Sequence, residues 1–229
     1  MPNAQAARIT IDSDTSVSAL LDRADAPSAA YVFAHGAGAG MTHPFMERAA
    51  GAFASRNIAT LRYQFPYMER GSKRPDTPKV AHAAVRAAVA EAARALPGVP
   101  LLAGGKSFGG RMTSQAQAAA PLPGVAGLVF LGFPLHPAGK PSIERAQHLA
   151  AIKIPMLFVQ GTRDEMADVS LIESTVGALG ARASLHWVQD GDHSFRVPAR
   201  SARDPSQVLD GVFDAVERWI ERVIEPAGG

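Results

Sequence analysis

Three side chains of this sequence can together turn a hydroxyl into a nucleophile: Ser107, Asp164 and His193. Ser107 stands at the centre of Gly104-Gly105-Lys106-Ser107-Phe108-Gly109-Gly110. The apolar run Val99 to Ala103 precedes this stretch, and a Met/Gln/Ala-rich segment of helical character follows it. Strand, tight turn with a central serine, helix is the context that a G-x-S-x-G nucleophile turn requires. A serine on so sharp a turn is held out of the helix it opens. Side chains at Gly105 and Gly109 would collide with the neighbouring strand and helix, so those positions call for hydrogen in place of Cβ.

A serine hydroxyl attacks poorly at its free pKa, so a base must take its proton and later return it to the leaving group. His193, in Asp190-Gly191-Asp192-His193-Ser194-Phe195, is assigned that role. Asp164, in Gly161-Thr162-Arg163-Asp164, is assigned to hold the imidazole in the right tautomer. Asp190 and Asp192 are the runner-up acids. The oxyanion that forms needs N–H donors, each worth roughly 3 kcal/mol of barrier lowering. One is expected from Phe108, directly after the nucleophile. The other is expected from His35-Gly36-Ala37-Gly38, at Ala37, with Gly38 as the near alternative. Gly38, His136 and Arg111 are further expected to line a substrate pocket, and His35 to orient the oxyanion loop. His43, His82, His148 and His186 read as surface residues. Arg62, Arg70 or Arg111 would suit an acidic group on the substrate, because a guanidinium matches carboxylate geometry.

Other chemistries are excluded on residues. Gly-Lys-Ser also ends a phosphate-binding P-loop, but that motif needs a glycine where the chain has Pro100. The cluster His35-Gly36-Ala37-Gly38-Ala39-Gly40 imitates a dinucleotide fingerprint, yet its third glycine falls on Met41 or His43. No cysteine is present, and no histidine pair has metal-ligand spacing. No cofactor and no metal are expected. The 23 basic and 21 acidic residues leave a formal net charge of +2 and are scattered, which gives no case for nucleic acid. The segment from Arg70 to Lys79 mixes four basic residues with Asp76 and two prolines, and reads as a solvated loop. No apolar run approaches the ~20 residues that span a bilayer. Met1-Pro2-Asn3-Ala4-Gln5 lacks a basic region followed by an apolar core, so no secretory signal, a cytoplasmic location and no membrane partner are expected.

The elements that must position these residues alternate along the chain. Arg8 to Asp12 and Val17 to Leu21 read as two short strands joined by an Asp/Ser turn. Strands follow at Ala30–Ala34, Ile58–Phe65, Leu101–Ala103, Val125–Phe133, Met156–Gln160 and Ser184–Val188. Between and after them the spacing predicts helices at His43–Arg56, Val80–Leu96, Phe108–Ala119, Val169–Leu179 and Val208–Ile224. Short, fully apolar strands alternating with helices predict an α/β fold: a doubly wound, mostly parallel sheet with helices on both faces and antiparallel N-terminal strands. At 229 residues, with 47% hydrophobic and 19% charged, the chain is expected to form one domain over residues 1–229. Ligands of open α/β sheets sit at the carboxyl ends of the strands, and Ser107, Asp164 and His193 each follow a strand directly. Pro134 to Ile154 is too short to hold a helical lid, so an open site is expected.

These motifs give the chain a resemblance to the α/β-hydrolase superfamily, whose triads follow the chain order Ser, Asp, His. Within it, the chain resembles the small, lidless, dienelactone-hydrolase-like proteins. More closely, it resembles the predicted hydrolases related to testis-expressed protein 30 and the third subunit of the NSL complex. The matching stretches are His35 to Met41, Pro44-Phe45-Met46, Phe65-Pro66-Tyr67, Gly104 to Arg111, Phe133-Pro134-Leu135-His136-Pro137, Gly161 to Asp164 and Asp192-His193-Ser194-Phe195. The resemblance implies an intact Ser107/Asp164/His193 triad and the α/β-hydrolase fold. It departs from dienelactone hydrolase itself, whose nucleophile is cysteine, so lactone specificity does not carry over. The expected activity is that of a serine hydrolase acting through an acyl-enzyme, a carboxylesterase on small or short-acyl esters. Acyl transfer to another acceptor, or perhydrolysis, would use the same triad. A binding protein on the same fold is the alternative outside catalysis, with the Tyr67–Pro78 loop as its partner surface. A small-molecule ester is the expected partner, and the sequence leaves the oligomeric state open.

Overall fold

The structure is a computed structural model that describes residues 4–224. Met1 to Asn3, part of the segment read above for a targeting signal, lie outside the described residues. Eight strands form one sheet: β1 (Gln5–Thr10), β2 (Ser16–Asp22), β3 (Ala29–Ala34), β4 (Ile58–Tyr63), β5 (Leu101–Lys106), β6 (Val125–Leu131), β7 (Met156–Gly161) and β8 (Ala183–Val188). Their order across the sheet is β1-β2-β4-β3-β5-β6-β7-β8. β1 and β2 pair antiparallel, β2 joins β4 antiparallel, and every pair from β4 to β8 is parallel. This is the doubly wound, mostly parallel architecture that the alternating pattern predicts.

The helices are α1 (Pro44–Ala54), α2 (Pro66–Glu69), α3 (Pro78–Ala95), α4 (Phe108–Ala119), α5 (Val169–Leu179) and α6 (Pro205–Ile224). Successive side chains of a strand point to opposite faces, so each parallel strand feeds two cores. On β3, Ala30, Val32 and Ala34 join the core under α3, α4 and α5. Tyr31 and Phe33 join the core under α1 and α6. Phe53 of α1 ties that second core together, standing edge-on to Tyr31 at 5.8 Å and to Phe213 of α6 at 5.3 Å. Truncating such a fully buried phenylalanine to alanine costs about 3–5 kcal/mol.

Element edges differ from expectation for local reasons. α1, α3 and α6 start at Pro44, Pro78 and Pro205, whose fixed φ suits the first helical position. β5 continues beyond Ala103 because Gly104, Gly105 and Lys106 keep pairing with Val129, Phe130 and Leu131. Pro66–Glu69 adds a short helix that has no apolar repeat to announce it, and its Tyr67 is buried. The Tyr67–Pro78 segment is therefore not the uniformly exposed loop expected. Between β6 and β7 there is one 3-10 helix, Glu144–Ala151, and no separate lid. Among the described residues, no helix is long and apolar enough to cross a membrane.

Candidate active site

β5 ends at Lys106 and α4 begins at Phe108, which leaves Ser107 alone to make the turn. Its backbone has φ 49° and ψ −115°, a strained conformation for a residue with a Cβ. Ser107 is fixed there by its own N–H, which donates to the Leu131 carbonyl at 3.1 Å. Two glycines make the turn possible. A Cβ on Gly105 would lie 2.3 Å from the Ala34 carbonyl oxygen, and one on Gly109 would lie 2.6 Å from those of Ala34 and His35. The serine side chain makes no cap to α4. Instead its Oγ stands 2.8 Å from Nε2 of His193.

The other ring nitrogen of His193, Nδ1, lies 2.7 Å from Oδ2 of Asp164. A carboxylate only accepts, so Nδ1 carries the proton and Nε2 is free to receive one from the hydroxyl. Asp164 follows β7 and its side chain is wholly buried, whereas that of His193 is 27% exposed. Three groups orient the carboxylate: the Met166 N–H donates to Oδ1 at 2.8 Å, and Gln160 Nε2 and His193 donate to Oδ2. Gln160 in turn accepts the Phe133 N–H through Oε1 at 2.9 Å. Asp192 has a different task. Its Oδ1 accepts the N–H groups of Ser194 and Arg196, which shapes the loop that carries His193. The Asp190 N–H donates to the Thr162 hydroxyl.

Lys106, buried beside the serine, donates from Nζ to the main-chain oxygen of His193 at 2.6 Å. Its ammonium also lies 5.5 Å from the centroid of the Phe195 ring. Burial lowers its pKa from 10.5 to about 8, against the opposing pull of the Asp164 and Asp192 carboxylates.

The loop after β3 is tied down by hydrogen bonds of His35 and Gly38. Nδ1 of His35 donates to the Gly36 carbonyl at 2.7 Å, and its Nε2 accepts the Phe65 N–H at 3.2 Å. Burial holds the imidazole neutral, with its pKa lowered to about 4. The Gly38 N–H donates to the Tyr67 hydroxyl at 3.0 Å. Among the described residues, the N–H groups of Ala37 and Phe108 have no acceptor. Both residues line an open cleft of about 320 Å³ together with Ser107.

Arg111 lines that cleft as well, but Gly38 and His136 do not. His136 is buried, with Nδ1 donating to the Pro137 carbonyl and Nε2 accepting the Asp168 N–H, so it knots the loop instead of meeting a ligand. Arg62 is turned away from the cleft into a buried fork with Asp22, at 3.0 and 3.2 Å. Arg70 pairs with Asp76 at 2.6 Å. His43 is exposed as expected, whereas His82, His148 and His186 are partly buried. His148 lies 2.7 Å from the Ser114 hydroxyl, and burial, Arg111 and His82 bring its pKa to about 4. Lys106, Gln160 and Arg145 went unread in the sequence. For the first two the signal was there: each is the one polar side chain of an otherwise apolar strand.

Comparison with known proteins places this geometry in context. The alpha/beta hydrolase domain family matches residues 27–221. A lidless alpha/beta serine hydrolase from Xanthomonas campestris is similar at 20% identity and a TM-score of 0.73, covering 96% of each chain. Dienelactone hydrolase from Anabaena variabilis is similar at 18% identity and a TM-score of 0.75, covering 97% of this chain and 98% of its own. The ferulic acid-bound Est1E from Butyrivibrio proteoclasticus is similar at 17% identity and a TM-score of 0.77, over 96% of this chain and 100% of its own. At such identities the likeness is one of fold.

Proposed function

The chain belongs to the alpha/beta hydrolase domain family, and from that premise we propose that it is a serine hydrolase, a carboxylesterase acting on small or short-acyl esters. The observation that carries this reading is the chain of contacts from Ser107 through His193 to Asp164, at 2.8 and 2.7 Å, opening on the cleft. In the first half-reaction Ser107 Oγ attacks the ester carbonyl carbon while His193 Nε2 takes the hydroxyl proton. The carbonyl π-electrons move to oxygen, where the Ala37 and Phe108 N–H groups stabilise the charge. On collapse the C–O bond to the alcohol breaks, and His193 returns the proton to the departing oxygen. Water then repeats the sequence on the acyl-serine, releasing the acid and restoring Ser107.

Acyl length follows from room. A cleft of about 320 Å³ is at the small end of ligand sites, and no lid adds apolar surface for a long chain. Labelling with a fluorophosphonate probe tests the nucleophile: one adduct is expected on Ser107, absent in Ser107→Ala and slowed in His193→Ala. A p-nitrophenyl ester series tests the substrate class, and the rate is expected to peak at short acyl chains. An unlabelled, well-folded wild type would remove the hydrolase reading, and a long-chain optimum would remove the short-acyl claim.

A further inference from the structure

Two arginines, Arg111 and Arg145, line the cleft beside Ser107. Arg111 stands in the first turn of α4, with its Cζ 5.9 Å from the Phe108 ring centroid. Arg145 comes from the 3-10 helix between β6 and β7. Elsewhere the fold matches its inward-turned arginines to acceptors: Arg62 to Asp22, Arg56 to Asp214 and Glu217, Arg86 to the carbonyls of Ala116 and Ala120. Among the described residues, neither Arg111 nor Arg145 has a carboxylate partner. Nε of Arg111 is buried with no acceptor at all. The fold thus supplies the Arg111 guanidinium with no carboxylate of its own and leaves its Nε unpartnered.

The charges around the pair point the same way. The two cations are close enough that Arg145, after burial, lowers the pKa of Arg111. Asp76, the acid that lines the cleft, already accepts the Tyr67 N–H at 2.7 Å and pairs with Arg70. His148, packed near Arg111, is neutral above about pH 4 and neither adds to nor offsets the positive charge. The rest of the wall is mostly apolar, from Pro75, Pro78, Phe108, Met112, Pro134 and Met166. Beside a mostly apolar wall, two guanidinium groups are less fully screened than they would be in bulk water, which favours an anion there.

We propose that Arg111 and Arg145 form an anion subsite beside Ser107, so that the preferred substrates are small esters carrying a carboxylate or phosphate group. The inference rests on the serine hydrolase reading for the word substrate, but the subsite itself does not need turnover. Each guanidinium offers parallel N–H donors to two oxygens of one anionic group, while the ester carbonyl lies over the Ala37 and Phe108 amides.

The test uses Ser107→Ala protein, which binds without turnover, and isothermal titration calorimetry with monomethyl adipate against dimethyl adipate. A second pair, methyl 4-phosphonobutanoate and its phosphonate dimethyl ester, separates a phosphate-type from a carboxylate preference. The charged member of at least one pair is expected to bind about tenfold more tightly or better, the scale of a charge-assisted hydrogen bond. That ratio is expected to fall towards one when Arg111→Gln or Arg145→Gln is added, with each variant's thermal melt confirming the fold. Arg145 lies on a surface 3-10 turn, so its variant keeps the test decisive if Arg111→Gln folds poorly. Equal binding of charged and neutral ligands, or a preference that survives both changes, would overturn the subsite. Fluorophosphonate labelling of wild type is run alongside. Labelling without anion preference would sink the subsite alone; anion preference without labelling would sink the hydrolase reading alone.

Discussion

The ammonium of Lys106 donates to the main-chain oxygen of His193 at 2.6 Å, so the residue before Ser107 holds the loop that carries His193. The two ends of the Ser107–His193 contact come from strands far apart in sequence, and this bond fixes their spacing. It is a charge-assisted bond in a buried place, where such bonds are strongest.

Replacing Lys106 with methionine keeps the volume and removes the donor. We expect kcat/KM on a p-nitrophenyl ester to fall about 10–100-fold, the rate equivalent of one charge-assisted hydrogen bond. The wild-type profile should also bend downward near pH 8 as Lys106 loses its proton, and Lys106→Met should lack that bend. Stability runs the other way. Burial puts the folded pKa, about 8, below the ordinary 10.5, so the unfolded chain binds more protons across that window. This group therefore makes the protein more stable as pH rises from about 8 to 10.5. Denaturant melts at both ends of the window, set beside the activity profile, check the opposite signs.

Glycines divide by what a Cβ would meet. At Gly105 and Gly109 it would meet backbone oxygens of Ala34 and His35 that no rotamer change can move. Alanine at either position is expected to cost about 2–4 kcal/mol and to displace Ser107. Gly51 in α1 and Gly177 in α5 face open space. Alanine there should stabilise by about 0.5–1 kcal/mol, since a helix interior favours it. Urea unfolding of the four variants reads both effects, and a harmless Gly109→Ala would contradict the packing described.

What the sequence discloses is local, and what it hides is contact between distant segments. The turn at Ser107 is legible because its glycines, strand and helix are neighbours in the chain. The placement of Asp164 and His193 after strands is legible because a parallel sheet gathers its strand ends on one side. Position after a strand ranks Asp164 first but does not by itself exclude Asp190 and Asp192, which share that description. The geometry separates them through the bonds that Asp192 makes to its own loop. His136 follows a strand as a pocket residue would, yet the Asp168 N–H takes up its Nε2. Arg145 carries no local signal, since its meaning comes from sharing the cleft wall with Arg111.

Acid should weaken the fold through His35. Burial lowers its folded pKa from the ordinary 6.5 to about 4, and Nε2 accepts the Phe65 N–H, which protonation would break. The unfolded chain takes up its proton first, so stability is lost as pH falls from 6.5 towards 4 and is unaffected above. The loss from this group is up to about 3 kcal/mol. His148, also lowered to about 4, adds in the same direction. Guanidinium melts at pH 7 and pH 4.5 should show the drop, and His35→Asn should show a smaller one from a lower start.

The assignment of Asp164 rests on tautomer control and has a sharp consequence. An asparagine at 164 fills the same space but can present its amide N–H to His193. The imidazole would then turn its proton to Nε2, leaving nothing to accept from Ser107. Asp164→Asn is expected to lower kcat about 10⁴-fold with KM little changed, the signature of an interaction used in the transition state. Asp192→Asn provides the contrast. Asparagine retains an Oδ1 to accept the Ser194 and Arg196 N–H groups, so the loop should survive and kcat should fall by less than about tenfold. Gln160→Leu falls between them: it removes one donor to Asp164 and leaves the buried Phe133 N–H without its acceptor, a cost of about 1–3 kcal/mol in stability. Steady-state kinetics on the three variants would reverse the assignment if Asp192→Asn proved the more damaging, because the carboxylate that fixes the tautomer would then be the one on the loop of His193 itself.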